Sequence, residues 1–138
     1  MTILLTGFTP FGKVAVNPSQ LIVAQVAARR EPDVITAVLP VEYAASGRSM
    51  AELIRIYQPD AVLCLGVAAN RQAISLERVA LNLDDAVLPD NAGDQASGRL
   101  ILPDGPLAYW STLPLEAMLA ALHARGLPAV ISNHAGAY

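Results

Sequence analysis

A carboxylate placed among apolar side chains is the feature of this sequence that most strongly indicates chemistry. In a strand with a period of two, Glu77 shares one face with apolar residues of the segment 75–85. These residues are Val79, Leu81 and Leu83. An ionised carboxylate on such a face is costly unless it is paired and hydrogen-bonded. Glu77 is therefore expected to have an ion-pair partner or a catalytic task, and the residues alone favour the ion pair.

Two aromatic residues in one loop form the second candidate site. Phe8 and Phe11 are the only phenylalanines in the chain, and glycines at positions 7 and 12 flank them. Two rings on a loop are typical of the walls of a pocket for a small, flat ligand. A loop anchored on the core by one ring would look the same, and the residues alone leave the two interpretations even. The loop matches neither G-x-G-x-x-G nor a P-loop, so it does not indicate a phosphate site.

The other reactive side chains give weaker signals. Cys64 lies in an apolar run, which predicts an inert small hydrophobe and not a nucleophile. His123 near a helix end and His134 near a strand end are predicted to be structural. The aspartates around position 91 lack the spacing of a calcium loop and predict a solvated loop. They are Asp84, Asp85, Asp90 and Asp94. No metal site is predicted, since no set of Cys and His has zinc spacing.

Composition restricts the class of protein. The 138 residues are 54% hydrophobic and 15% charged, with a mean hydropathy of +0.42 and a net charge of −3. This length predicts one domain with a sizeable core. The absence of a basic cluster argues against nucleic acid as a partner, and the longest apolar run, 61–69, is too short to span a membrane. A single cysteine and no signal-peptide pattern indicate a cytoplasmic protein.

The elements that must position these residues alternate between strand and helix patterns. Strands are predicted at 2–6, 34–38, 61–66, 75–85 and 129–132, and helices at 18–30, 43–57 and 114–125. The continuous apolar run at 61–66 indicates a central parallel strand. The alternation predicts an α/β domain with helices on both faces of the sheet, and ligands in such folds bind beyond the carboxyl ends of the parallel strands. The loops at those ends are 7–12, 66–71 and 134–138.

Six segments in a fixed order carry a resemblance to a known family. They are residues 8–12, 17–19, 75–85, 89–91, 104–106 and 132–136. In this order and spacing they resemble the pyrrolidone-carboxylate peptidases (pyroglutamyl peptidase I), and the resemblance extends over the whole chain. It implies a three-layer α/β/α sandwich with a mixed, mostly parallel twisted sheet. It also implies a cytoplasmic thiol peptidase, often a homotetramer, that removes N-terminal pyroglutamate from peptides without a cofactor or metal.

The resemblance assigns roles to individual residues. Glu77 matches the carboxylate of a Cys–His–Glu catalytic set, and Phe8 and Phe11 match the rings that hold the lactam between them. The implied substrate-binding residues are Phe8, Phe11, Asn17, Gly66, Val67, Arg71 and Tyr138. Main chain near Gly66 and Val67 is expected to bind the lactam amide.

The catalytic set implied by the resemblance is incomplete in this chain. In the family the nucleophilic cysteine and the histidine follow the position that matches Tyr138. We therefore expect 1–138 to be a single α/β domain that lacks its C-terminal part. Two alternatives remain: a truncated, catalytically inactive pyroglutamate-binding protein, and an enzyme that resembles nucleoside phosphorylases. The second predicts phosphate binding, for which the sequence offers no good loop.

Overall fold

The computed structural model describes residues 1–13 and 15–137 and has strands and helices in alternation. The strands are β1 (Ile3–Phe8), β2 (Val34–Leu39), β3 (Ala61–Cys64), β4 (Ile74–Leu81), β5 (Ala108–Trp110) and β6 (Ala129–His134). The helices are α1 (Pro18–Arg29), α2 (Tyr43–Tyr57) and α3 (Leu115–His123). Three of the four strand pairings in the described part of the chain are parallel. The predicted α/β class with mostly parallel pairing is confirmed.

The described residues group into two compact units, each with its own three-stranded sheet. The first unit contains Met1–Val67 and Pro89–Asp94. The second contains Ala68–Leu88 and the described residues from Gln95 onwards. The prediction of one domain over 1–138 stays a prediction.

The sheet of the first unit has the order β2-β1-β3 and is entirely parallel. Strand β1 is central and contains Leu4, which is completely buried, and Leu5, which is 7% exposed. Helix α1 packs on β1 and β2, and contributes the buried Val23. The prediction of a central strand at 61–66 was wrong for this sheet, because β3 pairs with β1 alone among the described strands. Cys64, at the end of β3, is exposed where a buried thiol was expected.

Helix α1 begins and ends where its local sequence signals predict. The Asn17 side chain caps the helix by accepting a hydrogen bond from the backbone N–H of Ser19, and Pro18 occupies the first helical position. The helix ends at Arg30, which adopts the left-handed conformation with φ 53°. This ordered first turn matters for the site, because α1 follows directly on the loop that contains the two phenylalanines.

The sheet of the second unit has the order β5-β4-β6. Strand β4 is parallel to β6 and antiparallel to β5, and α3 packs on β6 and β4. Leu76 is the buried residue of β4, while Glu77 on the opposite face is half-buried. In the described residues, no helix is both long enough and apolar enough to span a membrane.

Candidate functional site

Glu77 lies in the middle of β4 and has the ion-pair partner that the sequence predicted. In the parallel register it is opposite Ser132 of β6. Its Oε1 accepts a hydrogen bond from Arg71 Nη1 at 2.6 Å, and the Glu77 side chain is 28% exposed. The ion pair therefore fixes one oxygen of the carboxylate at the edge of solvent.

The second carboxylate oxygen of Glu77 has an unusual environment. Oε2 is buried and has no hydrogen-bond partner among the described residues. Buried polar atoms are nearly always paired, and an unpaired acceptor costs about 1–3 kcal/mol. Glu77 thus presents one oxygen that is held by arginine and one buried oxygen that can accept a hydrogen bond. A carboxylate in this state can orient and stabilise an imidazole whose ring N–H points at it.

Arg71 supports Glu77 and the end of β6 at the same time. Its Nη1 also lies 3.3 Å from Ser132 Oγ, and its Nη2 donates to the His134 carbonyl oxygen at 3.4 Å. Arg71 was predicted to bind substrate, and this stays a prediction; the structure adds that its guanidinium also holds these protein groups. The contribution of Ser132 was missed, because Ser132 lies 61 residues from Arg71 and no local pattern connects them.

In the first unit, Phe8 and Phe11 lie at the carboxyl end of β1. Phe8 is the last residue of that strand, and Phe11 is in the loop that follows. Both residues are half-buried. This burial is compatible with a pocket wall and with a structural anchor, so the two interpretations remain open on geometry alone.

Asn17 positions the loop that contains Phe8 and Phe11. It is 1% exposed, and its Oδ1 accepts hydrogen bonds from Ser19 N at 3.0 Å and Ser19 Oγ at 2.8 Å. Its Nδ2 donates to the Thr9 carbonyl oxygen at 3.0 Å. Asn17 was predicted to bind substrate, and this stays a prediction; the structure shows that its side chain fixes the loop after β1.

The remaining predicted residues follow β3 or lie outside the described residues. Gly66 and Val67 are exposed. Just before them, Leu65 donates its backbone N–H to the Thr6 carbonyl oxygen at 2.8 Å and so continues the ladder between β3 and β1. Main-chain groups of residues 66 and 67 are therefore accessible to a ligand. Tyr138 lies outside the described residues.

The prediction of a solvated acidic loop was wrong for Asp90. It is only 9% exposed, and its Oδ2 accepts the backbone N–H of Tyr43 at 2.9 Å, at the start of α2. Burial raises the pKa of the Asp90 carboxyl, but hydrogen bonds from backbone N–H groups outweigh burial and bring the pKa below its usual range. These donors belong to Tyr43, Asp94, Ala92 and Gly93. The carboxylate therefore holds its own turn and the start of a helix together.

We expect Asp90→Asn to lower the urea midpoint of unfolding near neutral pH and to flatten its dependence on pH. The amide carries no charge and turns an N–H toward a backbone N–H that needs an acceptor. Because the folded-state pKa is lowered, Asp90 stabilises the protein above its unfolded-state pKa of about 4. That contribution is lost as the pH falls through the folded-state pKa. Urea unfolding at about pH 7 and about pH 3 measures the effect.

A matched variant makes this test specific to the buried carboxylate. Asp33 is an exposed aspartate in the same unit, so Asp33→Asn should change the midpoint little at either pH. If the difference between wild type and Asp90→Asn were the same at both pH values, the stabilising role of the ionised Asp90 would be wrong.

Comparisons with known proteins agree on one family. The family model described as pyroglutamyl peptidase matches residues 1–138. The pyrrolidone-carboxylate peptidase of Streptomyces coelicolor is 46% identical over 140 residues, which cover 99% of this chain and 64% of that protein. The enzyme of the same name from Streptococcus pyogenes serotype M4 is 45% identical over 139 residues, which cover 100% of this chain and 65% of that protein. The chain thus spans about two thirds or slightly less of the length of these relatives.

Solved structures show the same relationship. The crystal structure of pyroglutamyl peptidase I from Bacillus amyloliquefaciens matches with a TM-score of 0.93 and 38% identity, covering 99% of this chain and 68% of that one. A mutant pyrrolidone carboxyl peptidase from P. furiosus matches with a TM-score of 0.93 and 39% identity, covering 100% of this chain and 67% of that one. At this level of identity and coverage, the likeness extends through both units of the chain, each considered by itself.

Proposed function

The chain belongs to the pyroglutamyl peptidase family, and on that premise we propose that it is part of a thiol peptidase that removes N-terminal pyroglutamate from peptides. The observation that carries the proposal is that the two oxygens of the Glu77 carboxylate have different surroundings. Arg71 holds its Oε1, while its Oε2 is buried without a partner among the described residues. An acceptor of this kind is what a catalytic imidazole needs on the side away from its nucleophile.

In the proposed reaction a cysteine thiolate attacks the carbonyl carbon of the pyroglutamyl residue. A histidine takes the thiol proton and gives it to the leaving amine, and water then hydrolyses the acyl-enzyme. Glu77 keeps the imidazole in the correct orientation and stabilises its positive charge. We expect this cysteine and histidine after the position of Tyr138, as the family resemblance implies. Cys64 is not the nucleophile in this proposal.

The first unit contributes the substrate pocket. Phe8 and Phe11 hold the lactam ring between them, and main-chain groups at residues 66 and 67 bind its amide. The half-burial of Phe8 and Phe11 and the exposure of residues 66 and 67 support these roles. Asn17 and Arg71 belong to the proposed substrate-binding set, and in addition Asn17 fixes the loop after β1 and Arg71 fixes Glu77. No cofactor takes part in the proposed chemistry.

The proposal extends to assembly and location. We propose a cytoplasmic homo-oligomer, a tetramer by resemblance. Large apolar side chains on the second unit support an assembly, since Leu107 is 78% exposed and Trp110 is 71% exposed. Light scattering coupled to size-exclusion chromatography tests this, and a monomer at working concentrations would contradict it.

The test of function combines intact mass, turnover and binding on one sample of the purified protein that contains this chain together with the segment that follows Tyr138 in the proposed enzyme. Release of a chromophore from a pyroglutamyl amide is expected, with inhibition by a thiol reagent. A Cys64→Ser variant should keep both the turnover and the inhibition, because the reactive thiol is a different one. Turnover that is insensitive to thiol reagents, or loss of turnover in Cys64→Ser, would contradict the mechanism.

The alternatives give different results in the same test. Binding of pyroglutamate without turnover would favour an inactive pyroglutamate-binding protein. If the protein neither binds nor turns over, the proposal is wrong. A nucleoside-phosphorylase-like enzyme has no support from the comparisons, which match the pyroglutamyl peptidase family over residues 1–138.

A further inference from the structure

The loop that follows Phe8 and contains Phe11 is held at two consecutive carbonyl groups by asparagine side chains. Asn17 Nδ2 donates to the Thr9 carbonyl oxygen at 3.0 Å, and Asn91 Nδ2 donates to the Pro10 carbonyl oxygen at 2.9 Å. Asn17 is close in sequence, but Asn91 is 81 residues away from Pro10. All of these groups belong to the first unit. A distant segment is therefore used to fix a short loop.

Asn91 is itself rigidly placed. Its backbone N–H donates to the Val41 carbonyl oxygen at 2.9 Å, just before α2. The preceding Asp90 is buried and accepts three short hydrogen bonds from backbone N–H groups, those of Tyr43, Ala92 and Asp94. The amide of Asn91 thus projects from a turn whose main chain is fixed on both sides. The Asn91 side chain can hold the loop in place because it is already ordered before a ligand binds.

The hydrogen bond to Pro10 controls the direction in which the chain enters Phe11. The proline ring locks φ near −65°, and the peptide bonds are planar. The only soft backbone torsion between the ring of Pro10 and the amide of Phe11 is therefore ψ of Pro10. Rotation about ψ moves the carbonyl oxygen and the Phe11 nitrogen together. By holding that oxygen, Asn91 restrains ψ of Pro10 and with it the direction of the peptide group that leads into Phe11.

We propose that Asn91 is a positioning residue that sets the separation of the two rings and with it the selectivity for a five-membered lactam. This inference rests on the proposed function, because the rings are the walls of the lactam pocket only in that proposal. Asn91 does not touch the substrate. It acts through the Pro10 carbonyl group, so its loss should affect recognition of the lactam and leave the chemical step nearly unchanged.

The experiment compares Asn91→Asp with wild type. The variant keeps the shape of the side chain, removes the donor and points a carboxylate oxygen at a carbonyl oxygen. We expect KM for a pyroglutamyl amide to rise about fivefold to tenfold with kcat within about twofold of wild type. The Kd for pyroglutamate, from an NMR titration, should rise by the same factor and does not depend on turnover. Selectivity over a six-membered lactam analogue should fall.

A matched control separates loop positioning from the general effect of the substitution. Gln95 also donates its amide to main-chain carbonyls, those of Ala86 at 3.2 Å and Val87 at 3.1 Å, but in the second unit. Gln95→Glu makes the same chemical change away from the rings and should keep wild-type KM, Kd and selectivity. Circular dichroism and thermal unfolding establish that each variant is folded. Asn91→Ala replaces Asn91→Asp if the charged variant does not fold.

The outcomes distinguish this inference from the proposed function. Weaker and less selective lactam binding by the Asn91 variant, with an unchanged Gln95 control, supports the inference. A folded Asn91 variant with wild-type KM, Kd and selectivity overturns the inference and leaves the proposed function standing. If wild type neither binds pyroglutamate nor turns over, the proposed function fails and the inference fails with it.

Discussion

Replacement of Glu77 by glutamine is expected to lower kcat for a pyroglutamyl amide by about 10²–10⁴-fold, with little change in KM. The amide carries no charge to stabilise an imidazolium, and it can turn an N–H toward the imidazole where an acceptor is required. Glu77 acts on the imidazole and does not contact the lactam in the proposed mechanism, so lactam binding should be kept. Steady-state kinetics measures both constants.

Glu52 provides the matched control for Glu77. Its Oε1 lies 2.7 Å from Arg55 Nη2 in an exposed ion pair on α2. Glu52→Gln makes the same change in an arginine-paired carboxylate, and exposed pairs contribute about 1 kcal/mol or less. Its kcat should equal that of wild type. If Glu77→Gln kept kcat within about threefold of wild type, Glu77 would not be the carboxylate of the catalytic set.

Replacement of Gly7 by alanine is expected to destabilise the protein by about 1–3 kcal/mol or more. A Cβ at this position of β1 would lie 2.7 Å from the Ser19 carbonyl oxygen and 3.0 Å from Val23 Cγ2. The carbonyl belongs to the main chain of α1, so a simple side-chain rotation cannot relieve the clash. Helix α1 must move away from the strand, and the buried contact of Val23 is loosened. Thermal and urea unfolding measure the loss.

Replacement of a glycine by alanine in α2 should have the opposite effect on stability. Gly47 lies within α2, is exposed, and has no atom within 4 Å of the position of a Cβ. Gly47→Ala should stabilise the protein by about 0.5–1 kcal/mol, because alanine loses less backbone entropy in a helix. A Gly7→Ala protein that unfolds at or above the wild-type temperature would show that β1 and α1 are not packed as closely as the structure indicates.

The elements with strong local signals could be predicted from the sequence. The cap at Asn17 and the proline after it located the start of α1, and helical spacing located α2 at Tyr43–Tyr57. Strand β5 was not predicted. It has only three residues, Ala108–Trp110, which are too few for a period to show, and its conformation depends on pairing with β4. Sheet order also could not be predicted, since burial of a strand does not specify its neighbours.

The sequence could predict that Glu77 has an ion-pair partner, but it could not predict which residues contact Glu77 and Asp90. The pattern around Glu77 required an ion pair, and the structure supplies Arg71 from a loop just before β4. Asp90 was interpreted as a solvated residue, because nothing in its neighbourhood indicates that it reaches Tyr43, which is 47 positions away. Such contacts are set by tertiary packing. They leave no periodic signal in either of the segments they join.

The hydrogen bond between Asn91 and Pro10 also sets an order of events during synthesis. Strands β1 and β2 and helix α1 can pair and pack as soon as residues 1–39 have left the ribosome. The loop between β1 and α1 cannot acquire its last anchor until residue 91 has emerged, because the bond spans 81 positions. Closing so long a loop is slow compared with local contacts. The loop after β1 can therefore gain this anchor only after translation has reached the segment that holds it.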